Sequence, residues 1–268
     1  MMHRFAIALL TLLPASVFAQ TSTIEQSGAV EQRADDRWTL GVAVSSEDSP
    51  YAGEGMRTRP FPFVTYQGGR IYWVGATLGV KLWETERFRL DANFSGRFDG
   101  FDSGDLGRAE LAANGVDIDR LEDRDHGADA GLAARWELGG NEIIVRALAD
   151  ITGTSEGYEV SADFARRFRV GKVTLVPGIG VQWLSDDLAD YYYGVRSTET
   201  FSGMAYQPDA ALIPRVSLGF AVPLGQSKWR VQGLVQYRFL PEELTDSPLL
   251  EPDADGVAHV VIGVVRSF

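Results

Sequence analysis

Residues 88–99 place Phe88, Leu90, Ala92, Phe94, Gly96 and Phe98 on one face of an extended chain and Arg89, Asp91, Asn93, Ser95, Arg97 and Asp99 on the other. Side chains along a strand point alternately to opposite faces, so this segment has one apolar side and one charged side. The pattern recurs. In 158–169, Tyr158, Val160, Ala162, Phe164 and Phe168 oppose Glu159, Ser161, Asp163, Arg167 and Arg169. In 229–239, Trp229, Val231, Val235, Tyr237 and Phe239 oppose Arg230, Gln232, Gln236 and Arg238. A soluble sandwich alternates too, but in strands of about five or six residues whose polar face favours Lys and Glu. Here arginine dominates that face, and lysine occurs only at 81, 172 and 228. A sheet that is apolar outside and charged inside suits lipid around it and water or ion pairs within it. The sequence predicts an all-β fold, a transmembrane antiparallel β-barrel.

Strand-like segments fall at about 37–45, 58–67, 71–82, 88–99, 126–138, 142–152, 158–169, 172–184, 210–222, 228–240 and 257–268. Their connections alternate in length, as barrel turns and loops do. Gly139–Asn141, Arg169–Lys172 and Pro223–Ser227 are tight turns, while long polar connections lie at about 100–125, 185–208 and 241–256, with a short one near 153–157. The alternation runs back from the C-terminus as far as Phe88 and then fails, leaving an odd count of eleven. Splitting the third segment at Gly75-Ala76-Thr77 gives twelve strands, and leaving 37–45 out of the wall gives ten. Twelve is the preferred reading.

The start of the chain reads as export. Met1-Met2-His3-Arg4 precedes an apolar run from Phe5 to Leu13, and Val17-Phe18-Ala19 carries the small residues of a cleavage site. A signal peptide over 1–19, a flexible periplasmic segment over 20–36 and a barrel over 37–268 follow. No stretch approaches the ~20 apolar residues of a membrane helix. The mean hydropathy of −0.09 averages a barrel's two faces. A net charge of −12 argues against nucleic acid as partner.

Several segments resemble the MipA/OmpV family of outer-membrane proteins: Trp38–Val42, Ser49–Gly53, Arg59–Phe63, Leu78–Val80, Phe88–Leu90 and, most diagnostic, Asp190-Tyr191-Tyr192-Tyr193-Gly194 with Tyr206 and Pro208. Asp246-Ser247-Pro248, within Glu243–Leu249, matches the segment before the family's last strand. The terminal Phe268 suits an outer-membrane barrel, although Arg266 replaces the more usual residue there. The resemblance implies a barrel in the Gram-negative outer membrane without established catalytic residues. One member is described as a scaffold between a murein hydrolase and a murein synthase.

Alternation sends Arg89, Asp91, Arg97, Asp99, Asp129, Arg135, Arg146, Asp150, Asp163, Arg167, Arg215, Arg230 and Arg238 to the lumen, together with Glu137, Glu159 and Arg169. Buried charges must pair or stay hydrated, and a barrel of this size has a narrow interior. Two readings fit: a mostly filled scaffold for envelope partners, or a narrow pore for small polar solutes. Catalysis is not expected. Only His126 and His259 follow the export segment, and no spacing supports pairing His259 with Ser217. The acidic run 117–125 lacks the glycine turn and terminal glutamate of a calcium loop and reads as self-paired. Tyr191–Tyr193 reads as an aromatic girdle or a loop anchor. No cofactor or metal is expected, and the predicted setting is a monomer among outer-membrane lipid and lipopolysaccharide.

Overall fold

The computed structural model describes residues 37–268; the predicted signal peptide and the 20–36 segment lie outside the described residues. The chain forms strands β1 (Trp38–Asp48), β2 (Met56–Gln67), β3 (Ile71–Val74), β4 (Thr77–Glu84), β5 (Phe88–Arg97), β6 (Gly127–Leu138) and β7 (Asn141–Asp150). It continues with β8 (Tyr158–Arg166), β9 (Phe168–Val170), β10 (Val173–Leu184), β11 (Ala211–Pro223), β12 (Trp229–Phe239) and β13 (Gly256–Ser267). Every neighbouring pair is antiparallel, and β13 returns to pair with β1 from Thr39↔Ser267 to Glu47↔His259. The sheet therefore closes on itself and leaves no free end.

β8 and β9 are one strand of the wall. Both pair with β10, with Ala165 opposite Gly178 and Phe168 opposite Leu175, so the register passes through unchanged. The gap faces Val176 and Pro177, and a proline has no N–H to donate to a ladder. Counted this way, the wall has twelve strands. The third predicted segment does split: β3 and β4 pair through Val74↔Thr77 around Gly75-Ala76, where Gly75 adopts a φ of 54°. That tight tip requires a residue tolerant of left-handed backbone.

Tight turns at 68–70, 85–87, 139–140, 171–172 and 224–228 share one end of the barrel with Trp38 and Phe268, which is the periplasmic end. The connections at 49–55, 98–126, 151–157, 185–210 and 240–255 share the other end and are the outer loops. Outward residues of the wall are apolar and uncovered: Phe94, Phe164, Val235 and Ile262 are all exposed. On a water-soluble monomer so continuous an apolar belt would be anomalous. Against hydrocarbon it is required.

Candidate functional site

The lumen is layered along its axis. At the periplasmic end Arg230 donates to Ser267 and Gln232, Thr39 bonds Ser267, and Arg135 pairs with Glu142 at 2.7 Å. Arg89 pairs with the buried Asp91 at 2.8 Å and stands over the Tyr72 ring, whose hydroxyl reaches Asp91 and Asn93. Tyr72 has room because the residue facing it is Gly79; a Cβ there would stand 2.0 Å from the ring. Beside this polar ring the lumen is partly apolar. Ala43, Phe63, Val261 and Val265 form a packed cluster on the neighbouring strands β13, β1 and β2, and Ile144, Val176 and Leu234 are buried on other strands.

Toward the outer loops is a polar chamber of about 120 Å³, room for about four water molecules at ~30 Å³ each. Its best-connected group is Arg97, whose guanidinium reaches Asp129 at 2.7 Å, Glu159 at 2.9 Å and Asp99 at 3.1 Å. Asp163 is shared by Arg215 at 2.7 Å and Arg146 at 3.3 Å, and Arg238 pairs with Glu47 at 3.1 Å. His259 Nε2 lies 3.0 Å from Ser45 Oγ. Ser217 instead stands opposite Gln236 and Gly178, so the hydroxyl beside His259 comes from β1.

Of the residues that alternation sends inward, Arg97, Asp99, Asp129, Arg146, Arg215 and Arg238 line the chamber, with Asp163 bridging two of them. Arg89, Asp91, Arg135 and Arg230 stand in the periplasmic ring. Glu159 also lines the chamber, whereas four stand elsewhere, Glu137 and Arg169 being exposed near the periplasmic turns. The carboxylate of Asp150 accepts hydrogen bonds from Thr152, Ser155 and Glu156 and so organises the 151–157 loop. Arg167 is exposed at the periplasmic rim, in the gap between β8 and β9. Sequence reading missed Ser45, Glu47, Arg57, Arg59 and Gln182 as lumen residues. For Arg59 the signal was present, since it alternates with Thr58 and Pro60 inside the predicted 58–67 strand, whereas Arg57 falls just before that strand's predicted start.

The outer loops fold over the chamber as a cap. Helices α1 (Arg108–Ala113), α2 (Asp186–Tyr193) and α3 (Glu242–Thr245) lie in it. Ser185 caps α2 by accepting from the Leu188 N–H, and Asp186 and Asp187 sit favourably at its positive end. One face of α2 buries Leu188, Ala189 and Tyr192 against Leu184, Ile213 and Leu244. A second cluster joins Tyr51, Phe101, Leu111, Val116, Leu249 and Leu250 from three separate loops. The family-signature residues lie here. Tyr191 accepts from the Asp125 N–H at 2.8 Å, Tyr51 donates to the Tyr192 carbonyl, and Ser247 donates to that of Tyr193. Burial pushes the Tyr193 phenol up to about 12. Tyr206 pairs with Val195, Pro208 is buried, Asp190 accepts the Gly194 N–H, and Asp246 closes α3. These tyrosines anchor loops; they are not a girdle on the wall.

A buried ion pair latches the cap: Arg124 contacts Glu199 at 3.1 Å with both side chains almost fully covered. Burial acts to raise the Glu199 carboxyl, but hydrogen bonds from Arg124 and from the N–H groups of Arg196 and Glu122 outweigh it and hold it below the usual range. A depressed folded value makes the latch fully stabilising above the free glutamate value of about 4.3 and progressively lost as the pH falls through the folded one. Amide protection in the cap is therefore expected to be flat from pH 7 to 5 and to collapse below about pH 4. Glu199→Gln should raise cap exchange about tenfold or more at neutral pH by leaving Arg124 unpaired.

The closed wall, apolar belt and capped lumen define an outer-membrane β-barrel protein. The family described as MltA-interacting protein MipA matches residues 40–268, and the chain belongs to that family. YiaT of Escherichia coli strain K12 is 30% identical over 222 residues, covering 80% of this chain and 84% of that protein. The MltA-interacting protein of the same strain is 29% identical over 240 residues, 88% of this chain and 92% of its own. Among solved structures the NanC porin aligns with a TM-score of 0.46 at 8% identity, covering 85% of this chain and 100% of its own.

Proposed function

We propose that this protein is a non-catalytic scaffold that works as a monomer in the lipid and lipopolysaccharide of the outer membrane and docks murein-remodelling proteins on its periplasmic turns. The observation that carries this reading is the obstruction of the lumen at two levels. The loop cap covers the outer mouth with two apolar clusters, and the Phe63–Val261–Val265 cluster fills part of the lumen between chamber and periplasmic end. A barrel so filled conducts poorly but is rigid, which suits a platform. The name of the MltA-interacting relative supports a murein hydrolase as partner.

A second reading, a narrow pore for small polar solutes, is favoured by the chamber itself, since opposed rows of arginine and carboxylate also line channels. Planar-bilayer recording separates the two. The scaffold reading expects a silent membrane and retention of a murein hydrolase or synthase on a column carrying the purified barrel. Discrete conductance steps that change in Arg97→Ala or Arg238→Ala, with no enzyme retained, would replace it by the pore.

A further inference from the structure

The hairpin of β3 and β4 is too short for the wall it belongs to. Its first strand has four residues, about 13 Å of chain, where β2 has twelve, about 40 Å. β3 pairs with β2 only at Thr65, Tyr66 and Gln67, and Ala76 at the tip meets β5 at Gly96. Above that tip, β2 from Met56 to Val64 has no strand beside it on that side among the described residues. With two strands missing, β2 and β5 stand about three strand spacings apart, roughly 14 Å. Higher still the gap ends. The Tyr51 and Phe101 rings pack in a tilted pair at 4.7 Å, and the Gly107 N–H bonds the Ala52 carbonyl at 2.8 Å. The result is a framed window in the barrel wall. Its sill lies well within an apolar belt about 25 Å tall.

The window reaches the chamber. The lining passes directly from Arg57 and Arg59 on β2 to Ser95, Gly96 and Phe98 at the end of β5, with no residue of β3 or β4 between them. Asp99 lines the chamber, yet its side chain is 48% exposed. The free edge of β2 is also protected from pairing with another strand. The Gln67 N–H points to β1, so odd-numbered residues of β2 face β1 and even-numbered ones face the gap. Pro60 and Pro62 therefore stand where a ladder needs donors, and both are exposed. An incoming β-strand is a poor occupant. A hydrocarbon chain needs no donors.

The chamber lining is richer in cations than in anions: Arg57, Arg59, Arg97, Arg146, Arg215 and Arg238 stand against Glu47, Asp99, Asp129 and Glu159. Guanidiniums crowded around a small polar space favour an oxyanion within it. A chamber of 120 Å³ admits a carboxylate or a phosphoryl group but not a lipopolysaccharide head. We propose that the chamber is reached sideways from the bilayer through the β2–β5 window, and that it holds the small oxyanion head of a single-chain amphiphile whose tail stays in the window.

The test uses the full-length protein in phosphatidylcholine vesicles with dodecyl phosphate bearing a diazirine near its head. After photolysis, adducts on Arg59, Phe61 or Phe98 are expected, and they should fall at least tenfold in Arg146→Met. That variant leaves Asp163 paired with Arg215, so the barrel keeps its ion pair. Adducts on the outward Phe164 should not change. Unlabelled dodecyl phosphate should compete, whereas inorganic phosphate alone should not. Adducts confined to outward wall residues of the wild type would overturn the proposal, as would equal chamber labelling in Arg146→Met. Competition by inorganic phosphate as strong as by the amphiphile would overturn lateral access. None of these readouts depends on whether a murein enzyme binds.

Discussion

Replacing Arg97 by alanine is expected to cost the barrel about 3–5 kcal/mol, the penalty for stripping a partner from buried charge. Three carboxylates converge on this guanidinium, at 2.7, 2.9 and 3.1 Å, and Asp129 and Glu159 are themselves largely covered. Without Arg97, mutual repulsion and desolvation act on them together. Urea unfolding from vesicles gives the number. Adding Asp129→Asn and Glu159→Gln to Arg97→Ala should restore more than half of the loss, because the orphaned charges go with the partner. Arg108→Ala is the contrast. Its pair with Asp119 is bidentate but mostly in water, so removing it should cost far less than removing Arg97. If Arg97→Ala cost no more than Arg108→Ala, the chamber would be wet enough to screen its charges, and the filled lumen would lose its physical basis.

The wall was legible in the sequence because a membrane strand is long and must show opposite chemistry to lipid and to lumen. Most predicted strands end within two residues of the observed ones; 88–99, for instance, is Phe88–Arg97. The doubtful stretch, 71–82, was doubtful for a physical reason. β3 is four residues long, below the length at which alternation carries information, and only Gly75-Ala76 marks the turn. Lumen parity was legible too, since Arg97, Arg146, Arg215 and Arg238 all point inward. Depth was not. Alternation gives the side of the wall, whereas Asp150 and Arg167 have the right parity at strand ends, where the loop and the rim take them. The cap was hidden further, because its order comes from Tyr51, Phe101, Leu111 and Leu250, distant in sequence and without a common period. The tyrosine run marked the place but not the role.

Phe94→Arg is expected to destabilise the folded barrel by about 2–4 kcal/mol, the depth-dependent cost of arginine on a lipid-facing site near the bilayer midplane. Phe94 is outward and 49% exposed, close to the middle of the wall, with outward Leu78 opposite it on one side and Ala130 on the other. The same substitution at Phe88, on the same face but at the periplasmic end of β5, should cost only about 0–1 kcal/mol, because an interfacial arginine keeps its water. The gradient along one strand is the informative quantity. Were this face in water, Phe94→Arg would remove an exposed apolar ring from solvent and be neutral or mildly favourable, and the two positions would not differ. Folding titrations of both variants into vesicles therefore read the environment of the wall from the sign and slope of the response. A flat profile would place Phe94 in water and leave the β2–β5 window facing solvent, where an amphiphile has no bilayer to arrive from.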